Sequence, residues 1–190
     1  MLPDDSRARD LLDQGIDQAR RSIEEGRDAV QGLRASTLAS NDLARTIGTI
    51  GEELAADSLN GRGPGFRIEV EGAPMDLAPL VRDEVCRIVV EALRNAFRHA
   101  DAEQIEVAIH YEKRCLRVQV RDDGKGVDQS VLEAGGREGH HGLKGMHERA
   151  SLIRGKLEVW SKAGFGCEVE LTVPASAAYA GPHVAERRVS

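Results

Sequence analysis

Aromatic residues are scarce in this chain of 190 residues: one tryptophan, two tyrosines and three phenylalanines. Few rings are therefore on offer for stacking on bases, the formal net charge is −6, and no basic stripe runs along a face. Together these exclude a nucleic-acid partner, which calls for cationic surface and stacking platforms. Cysteine is also rare. The three present, Cys86, Cys115 and Cys167, are widely spaced and odd in number, forming neither a zinc pattern nor a disulfide framework. A reducing, cytoplasmic setting fits them. No apolar run approaches the roughly 18 residues that a membrane span needs, and "MLPDDSRARD" lacks the apolar core of a signal peptide. What remains is an ordinary globular profile, with 41% hydrophobic and 31% charged residues and room for one domain plus an appendage.

The appendage comes first. Leu12, Ile16, Ala19, Ile23, Gly26, Val30 and Leu33 alternate steps of four and three, the heptad rhythm of a helix that packs along another helix. No helix of similar length precedes it, so its partner is another chain or a segment outside this one; a solvated linker helix is the competing reading. After "RASTLASND", with Ser40 as an N-cap, a second amphipathic helix is predicted from Asp42 to Asp57 on the line Leu43, Ile47, Ile50, Leu54. "NGRGPG" breaks the chain, and Phe66, Ile68 and Val70 alternate with charged residues as a strand. A long helix over residues 77–100 follows, then the hairpin "QIEVAIHY"/"CLRVQV", a glycine-rich charged stretch over 124–142 and a short helix, "LKGMHERASLIR". Leu157 and Val159, then Phe165, Cys167, Val169, Leu171 and Val173, make a closing hairpin, and "ASAAYAGPHVAERRVS" reads as a tail. The order predicts an α+β fold: a two-layer α/β sandwich, its mixed and mostly antiparallel sheet covered by helices on one face, preceded by a long coiled-coil-like helix.

Three stretches carry chemistry. In "EALRNAFRHA" a helical wheel buries Val85, Val89, Ala92, Leu93 and Ala96, puts Arg87, Arg94 and Arg98 opposite, and leaves Glu91, Asn95 and His99 along the boundary. Such a line can face a pocket, although every amphipathic helix needs boundary residues. "VRDDGKGVD" ends a strand in Asp122 and Asp123, then supplies Gly124 and Gly126, which admit a close backbone approach. A plain Asp-Gly turn is the alternative. "GHHGLKGMHERA" places Gly139, Gly142 and Gly145 before a helix, whose free N–H groups favour phosphate.

In order and spacing, "EALRNAFRHA", "RDDGKGV", "GHHGLKGMHERA" and "AGFGCEVELTVP" resemble the N, G1, G2 and G3 boxes of the ATP-binding domain of sensor histidine kinases. That domain belongs to the superfamily of gyrase, Hsp90-type chaperones, histidine kinases and mismatch-repair ATPases, and the likeness is greatest to the nitrate-sensor and desaturase-sensor branch. It covers residues 42–174. The resemblance implies residues 1–38 as the second helix of an incomplete dimerisation and phosphoacceptor hairpin, 39–175 as the ATP-binding catalytic domain and 176–190 as the tail. It implies ATP and Mg²⁺ as cofactors, with Asn95 as metal ligand and Glu91, Asn95 and Arg98 as the catalytic set. His99 would pack near the nucleotide, Asp122 would read the adenine amine, and Gly124 and Gly126 would let the base approach. Gly142, Leu143 and Gly145 would form the phosphate-contacting start of the last helix, and residues 128–141 the lid.

Implied partners are a response regulator, the phosphoacceptor helix of a parent kinase and a second copy in the full-length dimer, with membrane contact only through N-terminal parts outside this chain. Two departures stand out. Gly166-Cys167 replaces the usual Gly-Thr, and no histidine precedes His99, so the acceptor is expected on another segment. The chain then reads as the C-terminal catalytic piece of a kinase that does not label itself. Two other classes fit parts of the pattern: an ATP-gated conformational ATPase, which lacks here its strap and transducer, and a nonenzymatic dimerisation module, against which Asn95, Asp122 and the glycines argue.

Overall fold

The structure, a computed structural model, describes residues 42–57, 63–126 and 141–180, all within one compact unit. The predicted heptad helix, Ser40, Gly139, the proposed lid up to residue 140 and the last ten residues lie outside the described residues.

The chain runs α1 (Leu43–Asp57), β1 (Gly65–Glu71), α2 (Pro79–His99), β2 (Gln104–Tyr111), β3 (Cys115–Asp122), α3 (His141–Leu152), β4 (Lys156–Ser161), β5 (Cys167–Pro174) and a helical turn α4 (Ala175–Ala178). The strands form one sheet in the order β1-β2-β3-β5-β4. Only β1 and β2 run parallel, with Phe66 beside Ile105 and Ile68 beside Val107. Helix α2 lies between them in sequence, the long connection that a parallel pair requires. The other pairings are antiparallel, and short turns join β2 to β3 and β4 to β5.

Period-two alternation decides which face is covered. Ile105, Val107, Ile109 and Tyr111 of β2 and Leu116, Val118 and Val120 of β3 are buried, while their neighbours Glu106, Ala108, Arg117 and Gln119 are half-buried on the opposite face. That opposite face is polar: Gln119 Nε2 donates to Glu170 Oε2 at 2.7 Å, and Arg67 pairs with Glu106 at 2.9 Å. Helices α1, α2 and α3 cover the apolar face. Helix α2 turns Val85, Ile88, Val89, Ala92, Leu93 and Ala96 inward, as its pattern demands, and α1 adds Leu43 and Ile47. Each valine, leucine or isoleucine among them contributes about 1.5–3 kcal/mol by leaving water. No helix among the described residues is long and apolar enough to cross a membrane.

Asp42 caps α1: its Oδ1 accepts the Arg45 N–H at 3.1 Å, satisfying a donor in the first turn that has no helical partner. Three expectations are corrected. Helix α3 begins at His141, so Gly142 and Gly145 lie inside its first turns instead of before it. Phe165 does not begin the last strand; it sits in the β4–β5 turn, 71% exposed. The tail does not begin at Ala175. Ala178 is fully buried, Leu77 and Tyr179 form a β-bridge, and the Tyr179 hydroxyl lies 2.9 Å from both the Glu112 and Cys115 carbonyl oxygens.

Candidate functional site

Inward alternation along β3 runs Leu116, Val118, Val120 and then Asp122, so the strand ends with a carboxylate in a core-facing place. Asp122 is only 6% exposed. Its Oδ1 accepts the N–H of Gly124 at 3.0 Å and that of Cys167 at 3.2 Å, joining the β3 end to the neighbouring strand. Burial pushes its carboxyl above the usual range, because the charged form loses water; the two N–H donors oppose that shift and only partly offset it. Asp123 behaves differently. It is exposed, and its Oδ1 accepts the N–H groups of Glu103 and Gln104 at 2.8 and 2.9 Å, which ties the loop to the start of β2. Of the two adjacent aspartates, one is occupied with the fold and the other faces the interior.

The glycines after Asp122 answer to this chain's own backbone. A Cβ at Gly124 would run into the Ala100 carbonyl oxygen, and the N–H of Lys125 donates to that same oxygen at 2.7 Å. Gly126 has φ +60° and a Cβ there would strike the Lys162 carbonyl; Gly166 has φ +79° and would strike that of Asp122. It is the close approach of these carbonyls, added to the positive φ at Gly126 and Gly166, that leaves no room for a Cβ. The turns on either side are laced by Gly164 N–H to the Lys125 carbonyl at 2.7 Å and Ser161 Oγ to the Gly166 carbonyl at 2.9 Å. A Cβ on Gly124 is thus blocked by the end of α2, and one on Gly126 by the β4–β5 turn.

Cys167, where a threonine hydroxyl was expected, is half-buried, and burial raises its thiol to about 11, so it stays a neutral thiol. Its contribution to the site is the backbone N–H to Asp122.

Helix α2 brings the second set. Glu91 and Asn95 are half-buried one turn apart, while Arg98 and His99 are exposed in its last turn. Ala100, which receives the Lys125 N–H, lies five residues beyond Asn95, about 7.5 Å along the axis. The line Glu91, Asn95, His99 therefore runs toward the Asp122 turn. Helix α3 meets this line from the side: a Cβ at Gly142 would run into Glu91 Oε1. Leu143 packs against the core, and around Gly145 a Cβ would find nothing within 4 Å. A carboxylate, an amide, a helix N-terminus with open space beside it and a buried acceptor at a strand end thus share one end of the domain.

These residues fit a nucleotide better than a metal alone. No group of three or more His, Cys, Asp or Glu able to hold an ion occurs among the described residues. A lone amide oxygen such as that of Asn95 suits Mg²⁺ only where phosphate oxygens and water complete its shell.

Sequence reasoning missed Glu84. It is buried on α2, and Arg149 of α3 reaches it at 3.2 Å. The signal was there, since Glu84 falls on the wheel among Val81, Val85 and Ile88, where an acid calls for a partner.

Comparison with known proteins accords with this geometry. Residues 81–177 match the family described as histidine kinase-, DNA gyrase B-, and HSP90-like ATPase, and the chain belongs to that family. Its relatives include the sensor histidine kinase LiaS of Bacillus subtilis (strain 168), 42% identical over 94 residues, covering 50% of this chain and 25% of that protein. An uncharacterized sensor-like histidine kinase of Chloroflexus aurantiacus is 31% identical over 168 residues, covering 86% of this chain and 27% of that protein. The chain thus spans about a quarter of the length of these relatives. The histidine kinase domain of the Erythrobacter litoralis EL346 blue-light activated histidine kinase shares the fold, with a TM-score of 0.58 at 24% identity over 70% of this chain and 61% of that one.

Proposed function

We propose that this domain is the ATP-binding catalytic portion of a two-component sensor histidine kinase. It directs the γ-phosphate of ATP to a histidine on a helix outside this chain, and a response regulator receives the phosphate in turn. The observation that carries this reading is Asp122, a buried carboxylate with one oxygen held by two backbone N–H groups. Its second oxygen is the acceptor for an exocyclic amine, which favours adenine over guanine.

Asn95 would supply a side-chain oxygen to hold Mg²⁺, and Glu91 beside it would orient water around the ion or polarise the attacking imidazole. The ion, when bound, neutralises charge across the phosphate oxygens. Arg98 stabilises charge developing on the terminal phosphate, and His99 packs near the nucleotide. Gly142 and Leu143 offer the free N–H groups of the first turn of α3 to the phosphates, and Gly145 leaves space beside them. In such transfer, positioning and fixed charges supply the rate. The parent kinase is a dimer, anchored to the membrane by segments outside this chain, with this domain in the cytoplasm.

Isothermal titration tests the binding step: Mg·ATP gives heat and raises the melting temperature, Mg·GTP far less. Absence of both signals at millimolar Mg·ATP contradicts the reading. Adding a separately purified fragment that carries the parent's acceptor helix then yields phosphohistidine on that fragment and none on this chain.

A further inference from the structure

Helices α2 and α3 are tied at two levels. At one, Gly142 backs onto Glu91 so closely that a methyl group there would strike the carboxylate. At the other, Arg149 Nη1 donates to Glu84 Oε2 at 3.2 Å. Both intervals, Glu84 to Glu91 and Gly142 to Arg149, are two helical turns, about 10 Å. The helices therefore run antiparallel in a single register that satisfies both ties.

The chemistry of the second tie is unusual for its place. The Glu84 side chain is 7% exposed, whereas Arg149 keeps 42% of its surface in water. Arg87 approaches the same carboxylate at 3.5 Å from one turn further along α2. Around this pair the contact is apolar, with Met146, Ala150 and Ile153 buried beside Val81, Val85 and Ile88. Apolar contacts tolerate small axial slides, but a slide here separates the buried Glu84 from Arg149. Buried ion pairs add little net stability over apolar side chains of similar size, and their best-attested role is to specify register.

We propose that Glu84 and Arg149 are positioning residues for the nucleotide site: their ion pair sets the axial register of α3 on α2, and so holds the Gly142 backbone against Glu91, beside Asn95. This rests on the nucleotide reading above. Neither residue touches the ligand in this account. The effect passes through the helix backbone to the turn that carries the phosphate-facing N–H groups.

The test uses the full chain with E84M/R149M, which keeps bulk and removes charge, and with R149K, which keeps the charge. Three readouts are taken: melting temperature without nucleotide, Mg·ATP affinity by calorimetry, and hydrogen exchange at the amides of Met146 to Ala150 without nucleotide. The double variant is expected to melt within a few degrees of the parent, to bind Mg·ATP at least tenfold more weakly, and to exchange faster in α3 but not in β2 or β3. R149K is expected to stay within about threefold of the parent in affinity. A folded double variant with parental affinity and exchange overturns the proposal. Should the double variant not fold, R149M replaces it, and a parental result there is equally decisive. If the parent itself shows no Mg·ATP binding, the nucleotide reading fails, while the exchange measurement, which needs no nucleotide, still decides whether the pair sets the register.

Discussion

Asp122 carries two opposed demands, since burial raises the free energy of its charged form while the fold uses its Oδ1 to accept two N–H groups. An asparagine satisfies the second demand and removes the first, because its amide oxygen can accept both N–H groups. D122N is therefore expected to leave the melting temperature at neutral pH unchanged or higher. Its amide nitrogen then faces the adenine amine, donor against donor, and Mg·ATP affinity should fall by roughly ten- to a hundredfold, the penalty of about 1.4–3 kcal/mol for unmatched polar groups. The pH dependence follows the same sign. The folded-state pKa of Asp122 lies above its unfolded value of 3.8, so the native protein holds the extra proton. Its contribution is most favourable below the unfolded value and declines as pH rises through the interval up to the folded value. Denaturation of parent and D122N from pH 3.5 upward should show the parent losing stability relative to the variant across that interval, and a gain would contradict the burial argument.

Gly145 makes a second case at this scale. With open space where a Cβ would lie, G145A should stabilise the unliganded protein by about 1 kcal/mol through helix propensity. If that space receives phosphate, the same methyl weakens Mg·ATP binding. Denaturant titration and calorimetry separate the two effects.

Among the elements, those with a period were legible and those held by distant hydrogen bonds were not. Alternation from Leu116 to Val120 marks β3 and, carried on one step, puts Asp122 inside and Asp123 out. The apolar line of α2 located Glu91 and Asn95 on its rim, both of them half-buried. "ASAAYA" has no period, and its anchorage depends on carbonyls 64 and 67 residues earlier in the chain, at Cys115 and Glu112. Likewise no local pattern reveals that Glu84 meets Arg149 across 65 residues. The glycines of the Asp122 turn were legible as glycine-requiring positions, but the sequence could not say that the neighbours pressing on them are the end of α2 at Gly124 and the β4–β5 turn at Gly126. Y179F measures the anchor. Removing a hydroxyl shared by two carbonyls should cost about 1 kcal/mol, lowering the melting temperature by about 2–4 °C with Mg·ATP affinity untouched, since α4 bonds to the β2–β3 turn and not to the site.

Taken whole, the molecule places its polar chemistry at one end of a two-layer domain. The sheet brings Asp122 there through β3, α2 brings Glu91 and Asn95, and α3 brings a helix N-terminus held by Glu84 and Arg149. A ligand that binds only when these three elements are assembled stabilises the folded state by an amount that grows with the logarithm of its concentration over Kd, about 2.7 kcal/mol at a hundredfold excess. The most direct measurement is the melting temperature of the parent and of N95A, with and without saturating Mg·ATP. The account predicts a rise of several degrees for the parent, and for N95A a rise that is largely lost while its midpoint without nucleotide stays within a few degrees of the parent. Equal shifts in the two proteins, or none in the parent, would contradict it.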